Sequence, residues 1–140
     1  MTAITTPSIR NSLRTSDDAL LRFLVRVDAT LTSFSGLLLA AAADGIAALT
    51  GYTPVELFSA GATFVAYGLV LFVLAAVENL RVVGTAVVAG NVTLALGAVA
   101  VVVAGWLPLT AFGAAATLGA AAFTLGFADL QYLGVRRIRA

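Results

Sequence analysis

Asp28, Glu78, Asn91 and Asp129 are the side chains of this 140-residue sequence with the best claim to chemistry, because each stands in or beside a long apolar stretch. An ionised group at the centre of a bilayer costs about 2.5–3.5 kcal/mol on insertion scales, and less toward its edges, so each calls for a reason. Carboxylates gathered at one rim of a helix bundle can hold a proton, a cation or a cationic substrate, with the Asn91 amide orienting it. These four residues are therefore candidates for a polar vestibule at the cytoplasmic end of the bundle. The plainer reading pairs Asp28 with Arg22 or Arg26, Glu78 with Arg81, and Asp129 with Arg136 or Arg137. Such near-surface pairs contribute little energy and mainly set helix depth. No carboxylate is expected at the middle of a span, so the usual position of a proton-coupled antiport site reads as empty.

Other chemistries are excluded by composition. The sequence contains no Cys and no His, which removes disulfides, thiol redox steps, imidazole catalysis and the ordinary zinc and haem ligands. No Gly-rich phosphate loop or nucleophile–base pair is present. The expectation is no enzyme, no catalytic residue, no metal and no cofactor. A net charge of +1 without a basic stripe argues against nucleic acid as a partner. Hydrophobic residues make up 61% of the chain and charged residues 11%, with a mean hydropathy of +1.04, which no soluble surface could accommodate.

The elements that must position the polar residues are all helices. A hydrocarbon layer about 30 Å thick needs roughly 20 apolar residues at 1.5 Å each. The sequence supplies four such stretches, at about 24–43, 56–77, 83–104 and 109–130, which predicts an all-α, polytopic four-transmembrane-helix bundle. Residues 1–15 read as a flexible tail, 16–134 as the membrane domain and 135–140 as a basic tail. Thr15 or Ser16 is a candidate cap for the first helix, with Asp17 and Asp18 at the positive end of its dipole. Thr53-Pro54-Val55-Glu56 has the pattern of a capping box with proline at the first helical position. Glu78-Asn79-Leu80-Arg81 and Gly105-Trp106-Leu107-Pro108 read as tight turns.

Orientation follows from the eight basic residues, all of them Arg. Arg10, Arg14, Arg22 and Arg26 precede the first span, Arg81 separates the second from the third, and Arg136, Arg137 and Arg139 follow the fourth. The alternate loops carry only Asp44 and Glu56. The positive-inside rule then predicts both termini in the cytoplasm of a cell (inner or plasma) membrane, with Tyr52 and Trp106 at the outer interface and Tyr132 at the inner one. Ala41-Ala42-Ala43 before Asp44 has the small-residue look of a signal-peptide cleavage site. The first apolar run is nevertheless long enough to span, and removing it would discard half the arginines.

In lipid, contact faces are marked by small and hydrogen-bonding residues. On the fourth helix Ala115, Gly119, Ala122, Gly126 and Asp129 recur at spacings of four and three, so this face is expected to pack against the bundle and point Asp129 inward. Asp28, Thr32, Ser35 and Gly36 on the first helix, Ser59, Thr63 and Tyr67 on the second, and Gly84, Asn91, Ala95 and Ala98 on the third are the corresponding candidates.

Four short stretches carry a resemblance: Arg26-Val27-Asp28-Ala29 at the entry to the first span, Asn91 in the third, Gly105 to Thr110 in the last turn, and Arg136 to Arg139. Over residues 20–139 the chain resembles uncharacterised small four-helix integral membrane proteins of actinobacteria. The resemblance implies a fold and no activity. Small multidrug-resistance transporters differ in carrying a carboxylate deep in the first span, where Thr32 to Leu38 has none here, and dual-topology fluoride channels lack so one-sided an arginine distribution. The leading expectation is a non-enzymatic membrane protein working through helix packing, in contact with membrane lipid, as a homo-oligomer or as part of a larger membrane complex. The alternative is a small transporter or channel using the cytoplasmic vestibule.

Overall fold

Pro7 opens the first helix, where a missing N–H costs nothing and a fixed φ is already helical. In the computed structural model, which describes the backbone of residues 7–138 and the side chains of 18–138, α1 runs over Pro7–Ala41 and α2 over Ala43–Thr50. They are followed by α3 (Pro54–Leu74), α4 (Leu80–Ala104) and α5 (Ala111–Arg137). Four of these helices, over Asp18–Ala41, Pro54–Leu74, Leu80–Ala104 and Ala111–Arg137, are long and apolar enough to cross a membrane. The surface agrees with that reading, since Val103 is 79% exposed, Val55 74% and Val73 71%. Large apolar side chains face outward along every long helix, as a lipid-facing surface requires.

The boundaries depart from expectation in three places. Residues 7–15 continue α1 rather than forming a flexible tail, because nothing between Pro7 and Thr15 breaks a helix. Thr15 and Ser16 therefore lie inside α1 instead of capping it. Arg136 and Arg137 occupy the last turn of α5, where their charge suits the negative end of the dipole, rather than a separate tail. Residues 1–6, 139 and 140, and the side chains of Arg10 and Arg14, lie outside the described residues. The third difference is α2, a two-turn helix in the connection between the first two expected spans; Gly51, at φ +81°, ends it in the left-handed conformation that favours glycine.

Caps account for two of the helix starts. Thr53 accepts from the Glu56 N–H at 3.2 Å while its own N–H donates to Glu56 Oε2 at 2.7 Å, which completes the expected capping box. At α5 the cap is Thr110, whose hydroxyl accepts from the Gly113 N–H at 3.0 Å and donates to the Leu49 carbonyl at 2.7 Å. Its N–H also donates to the Thr50 carbonyl at 3.0 Å. Gly113 presses against Thr50, leaving no room for a side chain, so the end of α2 and the start of α5 are locked together.

The bundle consists of two closely packed helix pairs, α1 with α3 and α4 with α5, joined mainly along α1. Close approach in the first pair needs glycine. A Cβ on Gly36 would stand 2.5 Å from the Gly61 carbonyl oxygen, and one on Gly61 would stand 2.5 Å from that of Gly36. One turn and more further along, Gly68 receives Ser33 and the Ala29 carbonyl in the same way. The second core lies at the opposite end from the α2 latch, where Leu21, Val25, Leu71, Ala75, Leu80, Val87 and Val135 enclose one another. Arg22 closes that end of α3 by donating to the Ala75 carbonyl at 2.7 Å.

Candidate functional site

Asp28 is carried by α1 on the face that turns from α3 toward α4 and α5, with Leu21, Val25 and Ala29 buried beside it. Asn91 lies eleven residues into the 25-residue α4. Gln131 comes from α5 and Tyr67 from α3. Asp28, Asn91 and Gln131 are all buried, at 8%, 2% and 0% exposure.

These side chains form a closed hydrogen-bonded set. Asp28 Oδ2 accepts from Asn91 Nδ2 at 2.9 Å and from Gln131 Nε2 at 2.7 Å, and Asp28 Oδ1 accepts from the Thr32 hydroxyl at 3.2 Å. Asn91 Nδ2 also donates to Gln131 Oε1 at 3.0 Å, and the Tyr67 hydroxyl donates to Asn91 Oδ1 at 3.4 Å. Every contact to Asp28 is an incoming donor, the pattern of an acceptor-only carboxylate. Among the described residues no buried side-chain polar atom lacks a partner. A network this complete in a low-dielectric interior holds its members in one geometry and makes the loss of any one costly.

Two of the four expected vestibule residues, Asp28 and Asn91, thus meet, and two do not. Glu78 is exposed in the turn between α3 and α4, and Asp129 is exposed on the outer face of α5. Asp28 takes its bonds from amides and a hydroxyl rather than from arginine; Arg22 is engaged by Ala75, and Arg26 is exposed.

The expected packing face of α5 needs the same correction. Ala115, Gly119, Ala122, Gly126 and Asp129 are all exposed, and a Cβ added to Gly119 or Gly126 would meet nothing within 4 Å. The buried stripe is Gly113, Ala121, Ala128, Gln131 and Gly134, with Thr117 and Thr124 half-buried. Asp129 and Gln131 are two residues apart, about 200° around the helix, so burying one turns the other away. Both stripes obey the spacing rule, and α5 is small on both sides; what selects the buried one is Gln131, whose amide reaches Asp28 and Asn91. On α3, Ser59 and Thr63 are likewise exposed, with the Thr63 hydroxyl donating to the Ser59 carbonyl of its own helix. The packing face there is Leu57, Gly61, Gly68 and Leu71. On α1 Asp28 and Gly36 are buried while Ser35 is exposed, and on α4 Gly84, Asn91 and Ala95 are buried as expected.

Gln131 is the functional candidate that sequence reasoning passed over. It is the single glutamine of the chain. Ending the fourth span at 130 left it out of the helix, whereas α5 continues to Arg137 and buries it within the bundle. Tyr52 ties the loop after α2 to α5, its hydroxyl lying 2.9 Å from that of Thr117. At the other end the Arg136 guanidinium stands 5.8 Å from the centre of the Tyr132 ring. Among the described residues no group of three or more His, Cys, Asp or Glu side chains is placed to hold a metal ion. No protein-family model, curated protein or solved structure matches the chain.

Proposed function

We propose that the chain is a non-enzymatic, multi-pass protein of the cell membrane that acts by lateral association with another membrane protein through the outer face of α5. The carrying observation is that Ala115, Gly119, Ala122, Gly126 and Asp129 lie uncovered in a line. Small residues let two helix backbones come into contact in lipid, and α1 and α3 use that device at Gly36 and Gly61. The same device is unused on α5. Asp129 bears on the identity of the neighbour. A two-fold axis along the membrane normal through this face would set Asp129 against its own copy, an unfavourable like-charge pair. A partner helix offering a basic or hydrogen-bond-donating side chain there has no such conflict, so a larger complex is preferred over a homo-oligomer.

Both termini are assigned to the cytoplasm. The support is that Arg22, Arg26, Arg81, Arg136 and Arg137 gather at the end of the bundle where α1 meets Ala75 and α5 meets Gly84, while Asp44 and Glu56 lie at the α2 end. Kinship with the small four-span proteins of actinobacteria belongs to the same proposal; its Asp28 and Asn91 motifs are hydrogen-bonded partners. The alternative, a transporter or channel, draws support from that pair too, but Glu78 and Asp129 turn outward and leave no rim of carboxylates.

Native mass spectrometry from nanodiscs, with and without Gly119→Leu and Gly126→Leu, tests the association. A defined complex that both substitutions dissolve while helicity and thermal stability stay unchanged is the expected result. Monomer alone in the unmodified protein would overturn the proposal.

A further inference from the structure

Asp28 is the one acidic side chain among the described residues that is buried, and its surroundings offer hydrogen-bonding solutions for two charge states. As a carboxylate it accepts from Asn91 Nδ2, Gln131 Nε2 and Thr32 Oγ1. As a neutral acid its O–H needs an acceptor, and a half-turn of the Gln131 amide presents Oε1 in place of Nε2. That turn breaks the bond by which Gln131 Nε2 now reaches Asp28, and it also moves Oε1 away from Asn91 Nδ2. The proton therefore changes the only described side-chain hydrogen bonds that run from α1 to α4 and α5. The two helix pairs are also joined there by the Tyr67 hydroxyl, which donates to Asn91 Oδ1, and by apolar contacts of Leu21 with Gly84 and Gly134.

We propose that Asp28 is a proton-binding site inside the bilayer, and that its protonation loosens the hold of the α1/α3 pair on the α4/α5 pair. The step balances simply: one proton is taken up by the carboxylate, the charge becomes zero, and no other bond is made or broken covalently. The groups facing Asp28 are Thr32 on α1, Tyr67 on α3 through Asn91, Asn91 on α4 and Gln131 on α5; Tyr67 alone among them titrates. Arg26, Glu78, Arg81 and Asp129 are exposed, and Arg22 is turned to Ala75. The inference is independent of the α5 association and survives its failure.

The absence of cysteine makes the test clean. Infrared difference spectra of the full chain in nanodiscs, taken between about pH 4 and pH 9, report the C=O stretch of a protonated carboxyl. Spin labels on Thr63→Cys in α3 and Thr93→Cys in α4, both exposed, report the separation of the pairs. A carboxyl band that titrates, disappears in Asp28→Asn, and shares its midpoint with a change in label separation is the expected outcome. If Asp28→Asn does not fold, Gln131→Leu serves in its place, and a midpoint moved by about one pH unit or more is expected. No titrating band that either variant alters, or a label separation indifferent to pH, would overturn the proposal.

Discussion

Gln131 donates to Asp28 across 103 residues of chain at 2.7 Å, the shortest of the three bonds that the buried carboxylate accepts. A bond to a charged group contributes about 1.5–3 kcal/mol, and removing its donor leaves a buried acceptor short of a partner. Gln131→Leu is expected to lower unfolding free energy by about 1–3 kcal/mol, measured by equilibrium unfolding in mixed micelles or by steric trapping. Asn91→Ala should cost a similar amount. Because the two amides also bond each other, the double variant should depart from additivity by about 0.5–3 kcal/mol.

Glycine substitutions separate the two small-residue faces. Gly36→Ala or Gly61→Ala forces a methyl group into the opposite backbone and should destabilise by about 1–3 kcal/mol. Gly119→Ala and Gly126→Ala meet open space and should leave the isolated chain within about 0.5 kcal/mol of its starting stability. Equal losses at all four positions in the same unfolding assay would refute this division.

Arg22 and Arg26 carry the same charge at the same end of the chain but do different work. Arg22→Leu removes a charge-assisted bond to the Ala75 carbonyl and should cost about 1.5–3 kcal/mol. Arg26→Leu should be near neutral for stability, since its side chain is exposed. Their topogenic effects should match: reporter fusions after Arg139 should stay cytoplasmic in both single variants.

At the α2 end, Thr110→Ala loses both a helix cap and the tie to Leu49, and should cost about 1–2 kcal/mol, toward the upper range for a cap. Thr53→Ala loses only the capping box and should cost about 1 kcal/mol. Thermal unfolding followed by circular dichroism ranks the two.

Long apolar runs and the Thr53 cap were legible from composition and local pattern, because lipid demands length and the Thr53 box is a contiguous tetrapeptide. The choice between two equally spaced small faces on α5 was not, since spacing is blind to a rotation of about 200°. Asp28 and Asn91 could be singled out as polar residues in apolar runs, but their partner could not while the fourth span was taken to stop one residue short of Gln131. Glu78 and Asp129 fit the same chemical description as Asp28, and only the packed bundle distinguishes a carboxylate turned inward from one turned out. A short helix such as α2 has too few residues to show a period, and it is held by Gly113 and Thr110 from far along the chain.

The long sequence separation between Asp28 and Gln131 orders the events of biosynthesis. When α1 and α3 emerge from the insertion machinery they can pair at once through Gly36 and Gly61, yet Asp28 has neither amide. Asn91 arrives with the third long helix and Gln131 only in the last turns of the fourth, so until those helices are made the Asp28 carboxylate has only the Thr32 hydroxyl of its own helix as a side-chain donor. A ribosome stalled before Gln131 would therefore leave the hydrogen-bonded set around Asp28 incomplete, an intermediate prone to capture by chaperones or membrane proteases.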